Sequence, residues 1–228
     1  MCIVVYFDTE TTGVNPEEDE IIELAFEVYE DGIKKYEYDK LLNSPCEVPE
    51  KITEITGITT KMIREKGTSP SNALNNIIRY LNKGPLMVAH NCQFDLNFLY
   101  QLLISEYEYS EEYVLNILRG CDWLDTLTIL KDRKKYPHKL KDMVEYYKVD
   151  TDNFHRAGDD AGVLHECLLA MRAERNDLKE YVNVFGYHPK HGITGEAFDF
   201  ITYKAQEYHN GLCGSDDILP YCEPLKRY

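Results

Sequence analysis

Four carboxylates and one histidine in this chain have the types and settings that phosphodiester chemistry on divalent cations requires. Asp8 and Glu10 stand at i and i+2 at the end of the apolar run Cys2-Ile3-Val4-Val5-Tyr6-Phe7. On a strand that spacing puts both side chains on one face. Two carboxylates so placed repel each other and lose hydration, and a divalent cation with a preference for oxygen ligands removes the penalty. Asp95 ends the segment His90-Asn91-Cys92-Gln93-Phe94-Asp95, between an apolar strand and a helix. A carboxylate there either caps the helix or faces the cation site. His155 opens His155-Arg156-Ala157-Gly158-Asp159-Asp160-Ala161. An imidazole with an ordinary pKa of about 6.5 can take a proton from water near neutral pH, and Asp160 can hold a cation. Singly, these groups also read as a solvated strand end, a helix cap, a loop histidine and N-terminal helix charge. Jointly, in this order on these elements, they point to one hydrolytic site.

The elements that must position them follow from periodicity and punctuation. Residues 2–9 read as a buried strand. Residues 13–19 are a turn by composition, with Gly13 permitting a tight backbone path. Ile21 to Tyr29 reads as a second strand, Asp31-Gly32 as a hairpin turn, and 33–42 as a third, more exposed strand. Pro49 starts a helix, and Ser69-Pro70-Ser71 starts another that runs to Leu81. A short buried strand spans 85–90, and Phe94, Phe98, Leu99, Leu102 and Leu103 have helical spacing. Residues 122–130 are a strand-to-helix passage, Leu140 to Tyr147 carries a helical stripe, and Asp160 to Arg172 forms a last helix. This order predicts an α/β fold with a mixed sheet flanked by helices. The texture changes after residue 173, so the chain divides into a 1–172 domain and a 173–228 extension. The extension is aromatic rather than low-complexity, with a strand expected near 198–205, and is expected to pack on the core or on a partner.

Bulk properties narrow the classes. With 228 residues and 43% hydrophobic content, the chain can build a real core. The formal net charge of −15 argues against coating long nucleic acid through its phosphates. It is compatible with gripping a few nucleotides through cations that reverse the sign of an acidic cleft. No run is apolar enough for a membrane helix, so no membrane partner is expected, and the N-terminus does not read as a signal peptide. Seven cysteines, an odd number without a C-x-x-C pair, suit free thiols in a reducing compartment. A cytoplasmic location is the expectation.

The segments resemble the DnaQ-like 3′–5′ exonucleases of the DEDDh type, whose fold is ribonuclease H-like. Phe7-Asp8-Thr9-Glu10-Thr11-Thr12-Gly13, His90-Asn91 through Phe94-Asp95, and His155-x-Ala157-x-x-Asp160-Ala161 match the family's three motifs in order. Thr56-Gly57-Ile58 and His138-Lys139-Leu140 resemble linking elements of the epsilon-subunit and PolC-type proofreading branch. The likeness covers roughly residues 1–172. Ala157 and Ala161 set the register in favour of Asp160 over Asp159. The resemblance implies two divalent cations, Mg²⁺ or Mn²⁺, held by Asp8, Glu10 and Asp160, with Asp95 acting through water and His155 as general base. It implies release of nucleoside 5′-monophosphates from a 3′ end. By family position Thr11, Thr12, Ile58, His90, Asn91 and Phe94 are substrate-binding candidates, with core packing the alternative for Ile58 and Phe94.

Three functions stay open at this stage. The first is a metal-dependent exonuclease on single-stranded or frayed DNA ends, in proofreading or repair, with a DNA polymerase as candidate partner. The second is an exoribonuclease trimming RNA 3′ ends, separable only through 2′-OH contacts. The third is a non-catalytic adaptor of the same fold, against which the intact catalytic set speaks. A basic cluster (Lys131, Arg133, Lys134, Lys135, Lys139, Lys141) could steer a strand toward the site or be a solvated helix face.

Overall fold

A computed structural model describes residues 2–106, 110–150 and 157–206. Three antiparallel strands come first: β1 (Ile3–Thr11), β2 (Ile21–Glu30) and β3 (Ile33–Leu41). Helices α1 (Glu50–Thr56), α2 (Thr60–Lys66) and α3 (Pro70–Leu81) lead to β4 (Leu86–Ala89). Then α4 (Cys92–Glu106) and α5 (Glu111–Arg119) lead to β5 (Asp122–Asp125). Helices α6 (Thr126–Arg133), α7 (Leu140–Tyr147) and α8 (Ala157–Glu174) follow, and short strands β6 (Val184–Tyr187) and β7 (Thr202–Ala205) close the described chain. The main sheet has the order β3-β2-β1-β4-β5, antiparallel on the β3–β1 side and parallel from β1 to β5. The mixed α/β sheet expected from the sequence is therefore present.

The alternation of β1 explains the layers. Ile3, Val5 and Phe7 point into the larger core, with α3, α4 and α5. Tyr6, with Val4 packed alongside, points into the other core, with α6, α7 and α8. Asp8 and Glu10 continue the even series, so the strand's period of two delivers both carboxylates to the face covered by α8. The exposed edge strand β3 carries Lys34, Lys35, Glu37 and Lys40, charges that discourage another chain from pairing there.

Several local expectations change. The helix expected from Pro49 splits in two, because Gly57 adopts φ 73° and ends α1, and the Thr59 side chain then accepts from Met62 N–H to start α2. Helix α5, which the sequence reading did not include, starts at Ser110, whose side chain accepts from Tyr113 N–H. The strand expected near 198–205 shortens to β7. Residues 178–206 lie along the core: Phe185, Phe198 and Ile201 join the larger core cluster, and Tyr181 and Val182 the smaller. At the β5 edge, Trp123 N–H donates to Asn183 Oδ1 (2.8 Å) and Asn183 N–H to Trp123 O (2.7 Å). Residues 207–228 lie outside the described residues.

Candidate functional site

Strand β1 outlasts its partner. Its pairing with β4 ends at Tyr6↔Val88, and β4 itself ends at Ala89. The Thr9 N–H therefore meets no strand, and Asp95, in the first turn of α4, takes it. Asp95 Oδ1 accepts from Thr9 N (3.0 Å) and from Thr9 Oγ1 (2.7 Å). Asp95 is the fourth residue of α4 and not its cap position, and its Oδ1 is committed to Thr9. Asp95 is 2% exposed. Burial pushes its carboxyl up to about 7, against the Thr9 hydrogen bonds that favour the charged form.

On the opposite face of β1, one oxygen each from Asp8, Glu10 and Asp160 converge, all within 4.8 Å of one another. Asp160 arrives from the first turns of α8, so two distant segments meet as the sequence reading expected. Burial raises the Asp8 carboxyl well above its ordinary range, and the neighbouring Asp95, Asp160, Glu10 and Glu23 raise it further. Three convergent, mutually repelling carboxylate oxygens fit a hard divalent cation, whose charge removes the repulsion. His155 lies outside the described residues, as does the side chain of Asp159.

The loop after β1 is closed on itself. Thr11 Oγ1 donates to Gly13 O (2.5 Å), Thr12 Oγ1 donates to Asp19 Oδ1 (3.1 Å), and Glu20 N–H donates to Thr12 Oγ1 (2.9 Å). A Cβ at Gly13 would lie 2.3 Å from Asp19 Oδ2. Gly13 is thus required by the close approach of Asp19 rather than by a special backbone turn. Both threonines are nearly buried, and their hydroxyls serve the loop.

The other substrate candidates divide. His90 has both ring nitrogens engaged: Nδ1 with Thr126 Oγ1 (3.0 Å) and Nε2 with the His138 carbonyl (2.9 Å). A carbonyl only accepts, so Nε2 carries the proton. Burial lowers the ring's pKa, and Thr126 Oγ1, beside Nδ1, also donates to the Ala89 carbonyl (3.1 Å). His90 braces the loop before α7 instead of offering a donor to substrate. Ile58 is wholly buried with Ile22, Leu41, Val48 and Ile63, so core packing is its role here and no face is presented to a terminal base. Asn91 is exposed at φ 72°, a left-handed position that asparagine tolerates. Phe94 is half-buried, tilted against Phe98 at 4.7 Å, with part of its ring open. In the basic cluster, Arg133 is held by Glu174 and Asp177, and Lys134 by Glu174, so these two are neither free steering charges nor a solvated face.

Asp125 supports the site in a way that sequence reasoning passed over. Its Oδ1 accepts from the N–H groups of Asn91 (2.9 Å), Cys92 (3.2 Å) and Leu127 (3.0 Å). Its Oδ2 accepts from Thr128 N (3.1 Å) and Thr128 Oγ1 (2.6 Å). One carboxylate thus caps α6 and ties down the turn that starts α4, the helix that carries Asp95. The pattern Asp-Thr-Leu-Thr before a helix was the available signal.

Comparison with known proteins agrees with this geometry. The RNase_T exonuclease family model matches residues 5–168. The PolC-type DNA polymerase III of Thermotoga petrophila is 34% identical over 170 residues, covering 72% of this chain and 11% of that protein. The 3′–5′ exonuclease DinG of Bacillus subtilis is 32% identical over 180 residues, covering 76% of this chain and 18% of that protein. The chain therefore spans a small part of these relatives. The DNA polymerase III epsilon subunit of Treponema pallidum, 26% identical, is covered over 75% of its length and 73% of this chain. The crystal structure of Escherichia coli Exonuclease I with a dT13 oligonucleotide superimposes with a TM-score of 0.70 at 14% identity, over 79% of this chain and 43% of that one, which shows a common fold. The chain belongs to the RNase_T exonuclease family, as a DnaQ-like 3′–5′ exonuclease domain related to those of the PolC-type polymerases and epsilon subunits.

Proposed function

We propose that this domain hydrolyses single-stranded or frayed DNA from its 3′ end, one nucleotide at a time, releasing nucleoside 5′-monophosphates. The convergence of Asp8, Glu10 and Asp160 carries the proposal. DNA is favoured because the relatives are DNA polymerase subunits and the superimposable fold was solved with oligodeoxynucleotides. Asp8, Glu10 and Asp160 would hold the divalent cations, Mg²⁺ or Mn²⁺, with Asp95 behind them through water. Bound cations supply Lewis-acid stabilisation of the attacking and leaving oxygens of an in-line displacement.

The chain's own groups do the rest. The His155 imidazole takes a proton from the attacking water. The new bond forms between that water's oxygen and phosphorus. The bond from phosphorus to the 3′-oxygen of the penultimate nucleotide breaks, and that oxygen leaves with the bonding pair, takes a proton from solvent water and becomes the new 3′-hydroxyl. Phe94 offers an apolar face for the terminal base, and Asn91, at the exposed start of α4, offers an amide to it. The Thr9 bonds hold Asp95 in place before substrate arrives, so no side-chain ordering is required at the moment of reaction.

The test uses 5′-labelled DNA and RNA oligomers with Mg²⁺, with Mn²⁺ and with chelator, beside Asp8→Ala. A metal-dependent ladder that shortens from the 3′ end and is absent in the variant supports the proposal. Faster cleavage of RNA would make the chain an exoribonuclease, and no cleavage of either polymer would leave a binding module. His155→Ala should lower kcat by roughly 10²–10⁴-fold, the usual worth of a general base, with KM little changed. Weaker binding at unchanged turnover would remove His155 from that role.

A further inference from the structure

Glu23 stands on β2 directly across from Glu10 and is wholly buried. It is not one of the three carboxylates that converge. Its Oε2 accepts from the backbone N–H of Ala157 at 3.1 Å. Ala157 is the first residue of α8, where N–H groups have no partner inside the helix and the helix dipole favours negative charge. Glu23 therefore caps α8 from another element, and Asp160 follows within the first turn of the helix.

The same turn is seated on the sheet through small residues. Ala157 and Ala161 pack on Ala25, the residue opposite Asp8. A Cβ at Gly158 would lie 2.5 Å from Asp39 Oδ2 on β3, and one at Gly162 would lie 3.4 Å from Glu27 Oε1 on β2. A side chain at Gly158 would force the Asp39 carboxylate or the helix to move, while at Gly162 a methyl would meet Glu27 only at ordinary contact distance. The depth of this seat sets how far the Asp160 carboxylate reaches toward Asp8 and Glu10. An apolar side chain would satisfy packing at position 23, as at its neighbours Ile22 and Leu24, at lower desolvation cost. A buried carboxylate is useful there because it accepts from the helix start.

We infer that Glu23 is a positioning residue for the cation site, which holds the first turn of α8 against β2 so that Asp160 completes the ligand set. The inference rests on the reading of Asp8, Glu10 and Asp160 as cation ligands. Mn²⁺ binding, followed by calorimetry on the full chain, tests it without reference to cleavage. Glu23→Gln keeps an oxygen to accept from Ala157 and should bind Mn²⁺ much as the parent does. Glu23→Leu, folded by circular dichroism, should bind roughly 10–100-fold more weakly, the usual cost of losing a group that orients a ligand. At saturating Mn²⁺, kcat should fall in Glu23→Leu while KM for the oligonucleotide holds. Parent-like binding by Glu23→Leu overturns the inference. So does a Glu23→Gln as weak as Glu23→Leu, because charge and not the accepting oxygen would then matter.

A second pair of variants decides the matter if Glu23→Leu does not fold. Gly158→Ala stiffens the start of the helix, yet it should weaken Mn²⁺ binding, because its methyl presses on the Asp39 carboxylate and pushes the helix outward. Adding Asp39→Ala removes the obstructing carboxylate and should restore binding. Parent-like affinity in Gly158→Ala, or no recovery in the double variant, overturns the inference. A parent protein that binds no Mn²⁺ shows at once, before any variant is compared. It defeats the ligand reading itself and this inference with it.

Discussion

Replacing Asp125 by alanine should cost this domain more than replacing any residue of the cation site. The variant leaves five donors without their acceptor: the N–H groups of Asn91, Cys92, Leu127 and Thr128, and the Thr128 hydroxyl. The donors at Asn91 and Leu127 belong to residues that are not fully buried, and water can replace much of what they lose. Cys92 and Thr128 are at 0% exposure, so water does not reach them cheaply. Each unsatisfied buried donor costs about 1–3 kcal/mol, and loss of a helix cap about 1 kcal/mol. These effects overlap at Thr128, which brings the expected loss to about 3–5 kcal/mol, a large share of a typical total of about 5–15 kcal/mol. Asp125→Asn should cost less. Its amide oxygen in the Oδ1 position keeps three N–H partners, and the amide nitrogen then faces Thr128 N–H, for a loss of about 1–2 kcal/mol. The chain has one tryptophan, Trp123, which is wholly buried and two residues from the substitution. Its fluorescence during urea unfolding reports the midpoint and slope for the parent and both variants. An alanine variant within about 1 kcal/mol of the parent, or one no worse than asparagine, would refute the reasoning, since the mean net worth of a single hydrogen bond is already that size.

Other perturbations follow from the same geometry. The raised carboxyls of Asp8 and Asp95 mean that the folded form holds protons the unfolded chain has released. Their contribution to stability is complete below the ordinary aspartate range and is lost as pH rises, through about 7 for Asp95. Metal-free parent should therefore melt lower at pH 8 than at pH 5, by a larger margin than the Asp8→Asn, Asp95→Asn double variant. Equal pH dependence in the two proteins would contradict the assigned charge crowding. Deleting residues 176–228 removes Phe185, Phe198 and Ile201 from the core and Asn183 from Trp123. The truncated protein should show red-shifted Trp123 emission and poor solubility, and parent-like emission and melting would show the extension to be dispensable. Phe94→Ala should raise KM for single-stranded DNA by roughly 5–100-fold, corresponding to about 1–3 kcal/mol of base stacking, at nearly constant kcat. An unchanged KM would return Phe94 to simple packing.

The sequence made the two-faced nature of β1 legible, because alternation is a local property that needs no knowledge of partners. The register that favours Asp160 rests on the flanking alanines, and Ala157 and Ala161 are seated on Ala25, while the Asp159 side chain lies outside the described residues. What stayed hidden depends on contacts between distant segments. Asp125 reads as the boundary between a strand and a helix, and only folding brings the turn at Asn91 within its reach. Glu23 reads as one of the acids that interrupt an apolar strand, yet its partner is far along the chain at Ala157. His90 and Ile58 were matched to a substrate by motif position. Nothing local reveals that His138 engages the imidazole or that Ile22, Val48 and Ile63 enclose the isoleucine. Helix α5 was within reach, since Ser110 followed by two glutamates and then Val114, Ile117 and Leu118 is a start signal with an apolar stripe.

Strand β1 is gripped from both faces: Asp8 and Glu10 must meet α8 on one side, while Thr9 holds Asp95 on the other. The chain can therefore tolerate changes of length after Gly13 far better than before Asp8. Losing or gaining one codon between Ile3 and Phe7 would put the residues before the change out of step with those after it, so that the apolar residues and the carboxylates could not both keep their faces. No single compensating substitution repairs such a shift, because every side chain on one side of the change exchanges faces together. Two frame-preserving indels of opposite sign, both within the strand, would be the shortest genetic route back.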